Sequence, residues 1–161
     1  GRARAPDAMT ALGVTIKRLP HGADLALPEY ASPHSAGLDL VAAIASSVEL
    51  ESGGRAVVPT GIAVALPQGF EAQIRPRSGL AAEHGITVLN SPGTVDSDYR
   101  GEIKVILANL GPAAFTLERG MRIAQMVVAP VSAVVWREVR RLPASVRGEG
   151  GLGSTGTMPP V

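Results

Sequence analysis

The chain contains no cysteine, which excludes a disulfide framework, thiolate metal sites and cysteine nucleophiles. Aromatic residues make up 3% of its 161 positions, so there is no ladder of rings on which single-stranded nucleic acid could stack. A surplus of one charge is missing too: 15 Lys and Arg stand against 14 Asp and Glu, a net +1. Proteins that work by bulk attraction to nucleic acid carry far more positive charge, which demotes that class. No uninterrupted apolar run approaches the roughly 20 residues of a membrane-spanning helix. The basic opening, Gly1 to Ala8, lacks the hydrophobic stretch of a signal peptide. Met9 reads as the natural start, and residues 1–8 as an appended remnant or a disordered N-terminus. A reducing, cytoplasmic compartment is the expectation.

What the chain has in abundance is punctuation. It carries 19 glycines and 13 prolines, well above the roughly 12% of an average chain. Such spacing suits short strands joined by turns and is hostile to a helical bundle. Short runs rich in Val and Ile, bounded by Gly or Pro, predict strands over 14–19, 37–42, 47–50, 55–58, 62–66, 70–75 and 86–88. Further strands are predicted over 101–108, 115–117, 122–128 and 134–139. The one helix predicted is 79–84, with Ser78 as N-cap and Gly85 as its stop. Strand signals this frequent indicate a sandwich, jelly roll or closed barrel. The length fits one domain, assigned to residues 9–144. From Ser145 the texture changes, and Arg147 to Gly156 holds one large apolar side chain, Leu152. Residues 145–161 therefore read as a mobile segment. An ordinary tail and a phosphate-wrapping arm share that composition.

Three segments concentrate polar chemistry. At Arg75-Pro-Arg-Ser-Gly-Leu80 a strand ends and a helix opens. Backbone N–H groups, the Ser78 hydroxyl and the Arg77 guanidinium could cradle an anion there, with Gly79 allowing close approach. Taken alone, that segment is better explained as a capped helix with a solvated arginine. The second segment, Asn90 to Glu102, sets Asn, two Asp and a Tyr between strands. If Thr94 to Tyr99 form a hairpin, Asp96 and Asp98 share a face, and a carboxylate beside a phosphate could deprotonate water. In the third, Gln125 lies in a strand otherwise made of Ile, Met and Val, where its amide needs a ligand, a subunit contact or a sheet neighbour. The histidines, His21, His34 and His84, are too dispersed for a zinc site. No Gly-x-Ser-x-Gly elbow is present.

Together these segments resemble the trimeric dUTPase family. Five motifs of that family stand in order: Ala36-Gly-Leu-Asp-Leu40, Pro76-Arg-Ser-Gly-Leu-Ala81, Asn90 through Glu102, Gly120-Met-Arg-Ile-Ala-Gln125, and Arg147 through Gly156. The Asp96-Ser-Asp-Tyr99 run and the glycine-rich arm match this family better than the related dCTP deaminases. The resemblance implies an all-β, jelly-roll-like β-barrel with one short helix and a flexible C-terminal arm that closes over the active site. It implies a homotrimer with sites at subunit interfaces, no nucleic acid or membrane partner, and hydrolysis of dUTP to dUMP and pyrophosphate. That reaction limits uracil incorporation into DNA and supplies dUMP for thymidylate synthesis.

By the same resemblance the cofactor is Mg²⁺ on the triphosphate, with no direct protein ligand and with Asp39 supporting its water network from outside. A cation that keeps several waters needs no protein cage. Asp96 resembles the base that activates water at the α-phosphorus. Arg77, Ser78, Gly79 and Gln125 resemble phosphate contacts. Asn90, Thr94 and Val95 resemble the uracil-reading hairpin, Tyr99 the floor that leaves no room for a ribose 2′-hydroxyl, and Lys104 a nucleotide contact. Arg147, Ser154 and Thr155 resemble γ-phosphate contacts of the arm. Leu152 departs from the pattern, standing where relatives commonly carry an aromatic over the uracil, and implies a weaker grip on the base.

Overall fold

The computed structural model describes residues 11–158; the segment 1–8 singled out above lies outside them. Ten strands and one helix follow in the order β1 (Thr15–Arg18), β2 (Leu38–Val41), β3 (Val48–Leu50), β4 (Arg55–Ala65), β5 (Phe70–Arg75), α1 (Ser78–His84), β6 (Ile86–Val88), β7 (Gly93–Val95), β8 (Glu102–Asn109), β9 (Phe115–Leu117) and β10 (Arg122–Pro130). A 3-10 turn, Pro20–Gly22, follows β1. The architecture is all-β and jelly-roll-like: two four-stranded sheets, β1-β4-β8-β6 and β2-β10-β5-β7, with a two-stranded ribbon, β3-β9. All the pairings between strands are antiparallel. The barrel is not closed, since β7 and β2 end one sheet and β1 and β6 the other.

Alternation of side chains explains why these segments are strands. In β8, Ile103, Val105 and Leu107 point into the core while Lys104 faces out. In β5, Ala72 and Ile74 are buried and Arg75 is exposed. The two inner faces meet in one cluster that includes Leu40, Val58, Ile74, Ile86, Leu107, Leu117 and Ile123. Each such fully buried aliphatic side chain contributes about 1.5–3 kcal/mol. Asn109, wholly buried, is satisfied by three hydrogen bonds: its amide donates to the carbonyls of Leu50 (2.9 Å) and Ala113 (2.8 Å) and accepts from Gly111 N–H (2.9 Å).

Four sequence expectations change. Segments 55–58 and 62–66 join in the single strand β4, whose register against β8 breaks between Pro59 and Ala63. The expected strand 134–139 does not form, and its Val134, Val135 and Trp136 side chains are exposed. Among the described residues that segment pairs with no strand, and alternation alone cannot supply a partner. Ser78 is the first residue of α1 and not its cap; Arg77 holds the extended N-cap conformation and no side chain caps the helix. The Arg77 side chain is instead drawn to Asp39. Gly85, by contrast, ends the helix as expected, in the left-handed conformation at φ 70°. Finally, Thr94 to Tyr99 is not a hairpin. β7 stops at Val95, and Ser97-Asp98 form a turn closed by Tyr99 N–H on the Asp96 carbonyl (3.1 Å).

Candidate active site

Five polar residues of the third motif, Asn90, Thr94, Asp96, Tyr99 and Glu102, gather around one cavity of about 190 Å³. Asn90, Gly93, Thr94, Val95, Asp96, Tyr99, Glu102 and Lys104 line it, over an apolar base of Ile74, Val88, Ile103 and Ile106. β7 is an edge strand, pairing on one side with β5 through Gly93, Thr94 and Val95. An edge strand keeps unpaired N–H and C=O groups along its free side. A flat group that offers one donor and one acceptor can be matched by such a strand.

Asp96 stands immediately after β7, exposed at the cavity rim. It also borders a shallower depression with Ser97, Asp98 and Arg100, so Asp96 and Asp98 share a side although no hairpin aligns them. Only Asp96 reaches the nucleoside-sized cavity. Tyr99 is held at its tip, its hydroxyl donating to the Glu102 carbonyl (2.9 Å). A Cβ built on Gly101 would lie 2.6 Å from the tyrosine Cζ, so glycine there is what admits the ring.

A second cluster forms where β2, β10 and the β5–α1 junction meet. Pairing sets Gln125 of β10 opposite Asp39 on one side and Arg75 on the other. Asp39 is clamped by two guanidiniums: Arg77 Nε reaches Oδ1 at 3.0 Å and Arg122 Nη1 reaches Oδ2 at 3.1 Å. Gln125 answers its need for a partner by donating to the Pro76 carbonyl (2.8 Å), which fixes the main chain just ahead of Arg77. Ser78 and Gly79 follow, exposed, and a Cβ on Gly79 would meet nothing within 4 Å.

None of Arg77, Ser78, Gly79 or Gln125 lines the cavity that holds Asp96 and Tyr99. Those four residues and the lining of that cavity therefore stand in separate clusters of the chain. The arm residues Arg147, Leu152, Ser154 and Thr155 are exposed. Arg147 donates to the Gly150 carbonyl (2.7 Å), and the neighbouring turns are likewise local. Leu152 is fully exposed with φ 44°, a left-handed conformation that a branched side chain does not favour.

Sequence reasoning missed Arg122 and Glu102. Arg122 sits within the fourth motif, but its role depends on the strand register that carries it to Asp39. Glu102 reads as an ordinary strand residue, whereas its carboxylate accepts from Gly61 N–H (2.9 Å) and His21 Nε2. Of the three histidines, His21 is therefore structural, and His84 packs on Phe115 with ring centroids 4.9 Å apart.

Fold and clusters together define a class: an all-β protein of jelly-roll type with a pocket along an edge strand and, on other elements, a carboxylate held between two arginines. The dUTPase family model matches residues 23–156. The chain is 60% identical over 146 residues to the deoxyuridine 5'-triphosphate nucleotidohydrolase of Anaplasma marginale, covering 91% of this chain and 99% of that one. It is 59% identical over 148 residues to the enzyme of that name from Rickettsia prowazekii, covering 92% and 99%. In fold it matches the dUTPase of Staphylococcus bacteriophage 80alpha, solved with dUpNHpp, at a TM-score of 0.82 and 24% identity over 91% of this chain and all of that one. A variant dUTPase from phage phi11 of S. aureus, whose structure describes the coordination of a structural Mg(II) ion, matches at a TM-score of 0.73 and 19% identity, covering 83% and 100%. The chain belongs to the dUTPase family.

Proposed function

We propose that this chain is a dUTP diphosphatase, hydrolysing dUTP to dUMP and pyrophosphate, and that its complete sites form between copies in a homotrimer. The observation that carries the reading is the separation just described: one chain holds a nucleoside cavity with a carboxylate at its rim, and elsewhere an arginine cluster suited to phosphates. A triphosphate needs both at once. Subunit contacts that set the cavity of one copy against the cluster of another would unite them.

In the assembled site the free edge of β7 pairs with the uracil N3–H and O4, and cytosine, with the opposite pattern, would leave buried groups unmatched. The Tyr99 ring lies beneath the deoxyribose. Asp96 accepts a proton from a water as its oxygen bonds to the α-phosphorus, and the bond to the α–β bridging oxygen breaks. Pyrophosphate leaves with that electron pair. Position is the main contribution of Asp96. Arg77, aligned by Asp39 and by the Gln125 bond to Pro76, faces the phosphates together with Ser78 and Gly79. Lys104 borders the nucleotide. The arm then folds over the occupied site, with Arg147, Ser154 and Thr155 toward the γ-phosphate and Leu152 over the base.

The donor set suits Mg²⁺ carried by the substrate. Among the described residues no three His, Cys, Asp or Glu side chains cluster to hold a metal, and both oxygens of Asp39 are already engaged by arginines. A hard cation held by phosphate oxygens and water asks for no more, and Asp39 keeps lone pairs for that water from outside. When bound, the ion neutralises charge on the leaving pyrophosphate.

Mixing two inactive variants tests the shared site. Asp96→Asn and Arg77→Ala are each expected to be inactive alone. Co-refolded, they should regain pyrophosphate release, because some sites then draw an intact Asp96 from one copy and an intact Arg77 from another. Mixed assemblies that form and stay inactive would overturn the shared-site reading.

A further inference from the structure

Glu102 is absent from every role assigned above, yet its carboxylate is the most constrained in the nucleoside half of the molecule. The constraint starts in β4. Between Pro59, opposite Lys104, and Ala63, opposite Glu102, three residues of β4 face Ile103 alone. Such a bulge leaves ladder groups without partners. Thr60 resolves one by donating its hydroxyl to the Ile103 carbonyl (2.5 Å). Gly61, buried and at φ 72°, turns its N–H onto the Glu102 carboxylate (2.9 Å). The same oxygen takes a second hydrogen bond, from His21.

His21 is delivered there by close packing. Leu19 N–H donates to the Gly61 carbonyl (2.8 Å), and a Cβ on Gly61 would lie 2.6 Å from the Gly22 Cα. Neither backbone can move independently of the other. On its other side Glu102 offers its own carbonyl to the Tyr99 hydroxyl, and it lines the nucleoside cavity. One residue thus ties the bulge and the 3-10 turn to the ring beneath the sugar.

We propose that Glu102 is a positioning residue for sugar discrimination: pegged by Gly61 and His21, it sets the height of the carbonyl on which Tyr99 rests, and so the clearance at the ribose 2′ position. This rests on the reading of Tyr99 as the sugar floor. A charge-assisted bond to a buried N–H is stronger and shorter than a neutral one, which suits a fixed peg. Glu102 itself need touch no reacting atom.

The test measures kcat and KM for dUTP and for UTP on Glu102→Ala, Glu102→Gln, Tyr99→Phe and the double variant Glu102→Ala/Tyr99→Phe, with thermal melts alongside. Glu102→Ala is expected to lower the dUTP-to-UTP ratio of kcat/KM about tenfold, the change appearing as a lower KM for UTP. Glu102→Gln keeps an acceptor for both donors and should hold the ratio within about twofold of the parent. Tyr99→Phe should lower the ratio as Glu102→Ala does, and the double variant should be no worse than the poorer single, since both act on one contact. An unchanged ratio in folded Glu102→Ala, with Tyr99→Phe impaired, overturns the peg and leaves the sugar floor standing. Additive losses in the double variant also overturn it. An unchanged ratio in Tyr99→Phe overturns both. Should Glu102→Ala fail to fold, His21→Ala removes one exposed partner of the peg. It should shift the ratio in the same direction, and an unchanged ratio there overturns the peg.

Discussion

Adding a single methyl group at Gly101 should disable the site while sparing the fold. Gly101 does not use the left-handed backbone that only glycine tolerates, so alanine carries no backbone penalty, and the test is one of space. The new Cβ would lie 2.6 Å from the Tyr99 Cζ and 2.9 Å from its Cε2. Carbon atoms settle at about 3.5–4.0 Å, so one partner must move by about an ångström. β8 will not give way, because Ile103 and Val105 are 2% and 0% exposed within the core. The tyrosine will, being 44% exposed and held at its tip by one hydrogen bond of 2.9 Å.

Losing that bond costs about 1 kcal/mol at most, since water can replace it. For a domain of this size that is about 2–4 °C in Tm. Catalysis is far less tolerant: an ångström of misplacement can cost about 100-fold. Pyrophosphate release should therefore show kcat/KM for dUTP falling about 100-fold, with discrimination against UTP weakened. A fully active Gly101→Ala enzyme would refute the reasoning. A Tm loss of more than about 10 °C would show that the strand moved and the ring did not.

Other perturbations separate chemistry from scaffold. Asp96→Asn should retain binding of a non-hydrolysable dUTP analogue while turnover drops about 100- to 10,000-fold; calorimetry and steady-state rates read the two effects. Deleting residues 146–161 should leave the melting curve unchanged and cripple hydrolysis, because among the described residues of that segment the hydrogen bonds are local. Asp24 responds to pH: its hydrogen bond from Arg119 holds its carboxyl below the ordinary carboxylate range. A depressed folded value means that the contribution to stability is present above the unfolded value and lost as pH falls through the folded one. Acid melts of Asp24→Asn should lack that part of the decline, and an identical acid limb would count against the contact.

Much of the fold was legible because strand and turn signals are local. Segments 70–75, 86–88 and 115–117 coincide with β5, β6 and β9, where Val, Ile and Phe runs end at Gly, Pro or charged residues. The stop of α1 at Gly85 was equally readable, since a left-handed C-terminal residue is a property of one position. The candidate site was legible as motifs, in that Asp96, Tyr99, Asn90 and Lys104 do surround one cavity. Local reasoning failed where a partner decides. Val134 to Val139 has the alternation of a strand and, among the described residues, no strand paired with it. Arg77, not Ser78, stands at the N-cap position of α1, and its side chain is held by Asp39, distant in the chain.

Order along the chain, the alternation that makes each strand two-faced, and the residue types available for phosphate, base and water were all determined by the amino acids as written. Tertiary structure alone decided which of them meet. The pairing of β10 with both β2 and β5 aligns Gln125, Asp39 and Arg75. The bulge in β4 turns Gly61 toward Glu102. The edge position of β7 leaves one side of its backbone outside the sheet pairing. Register is a sum of many weak contacts between segments far apart in the chain, and slipping it by one residue reverses every side chain, so no local pattern can encode it.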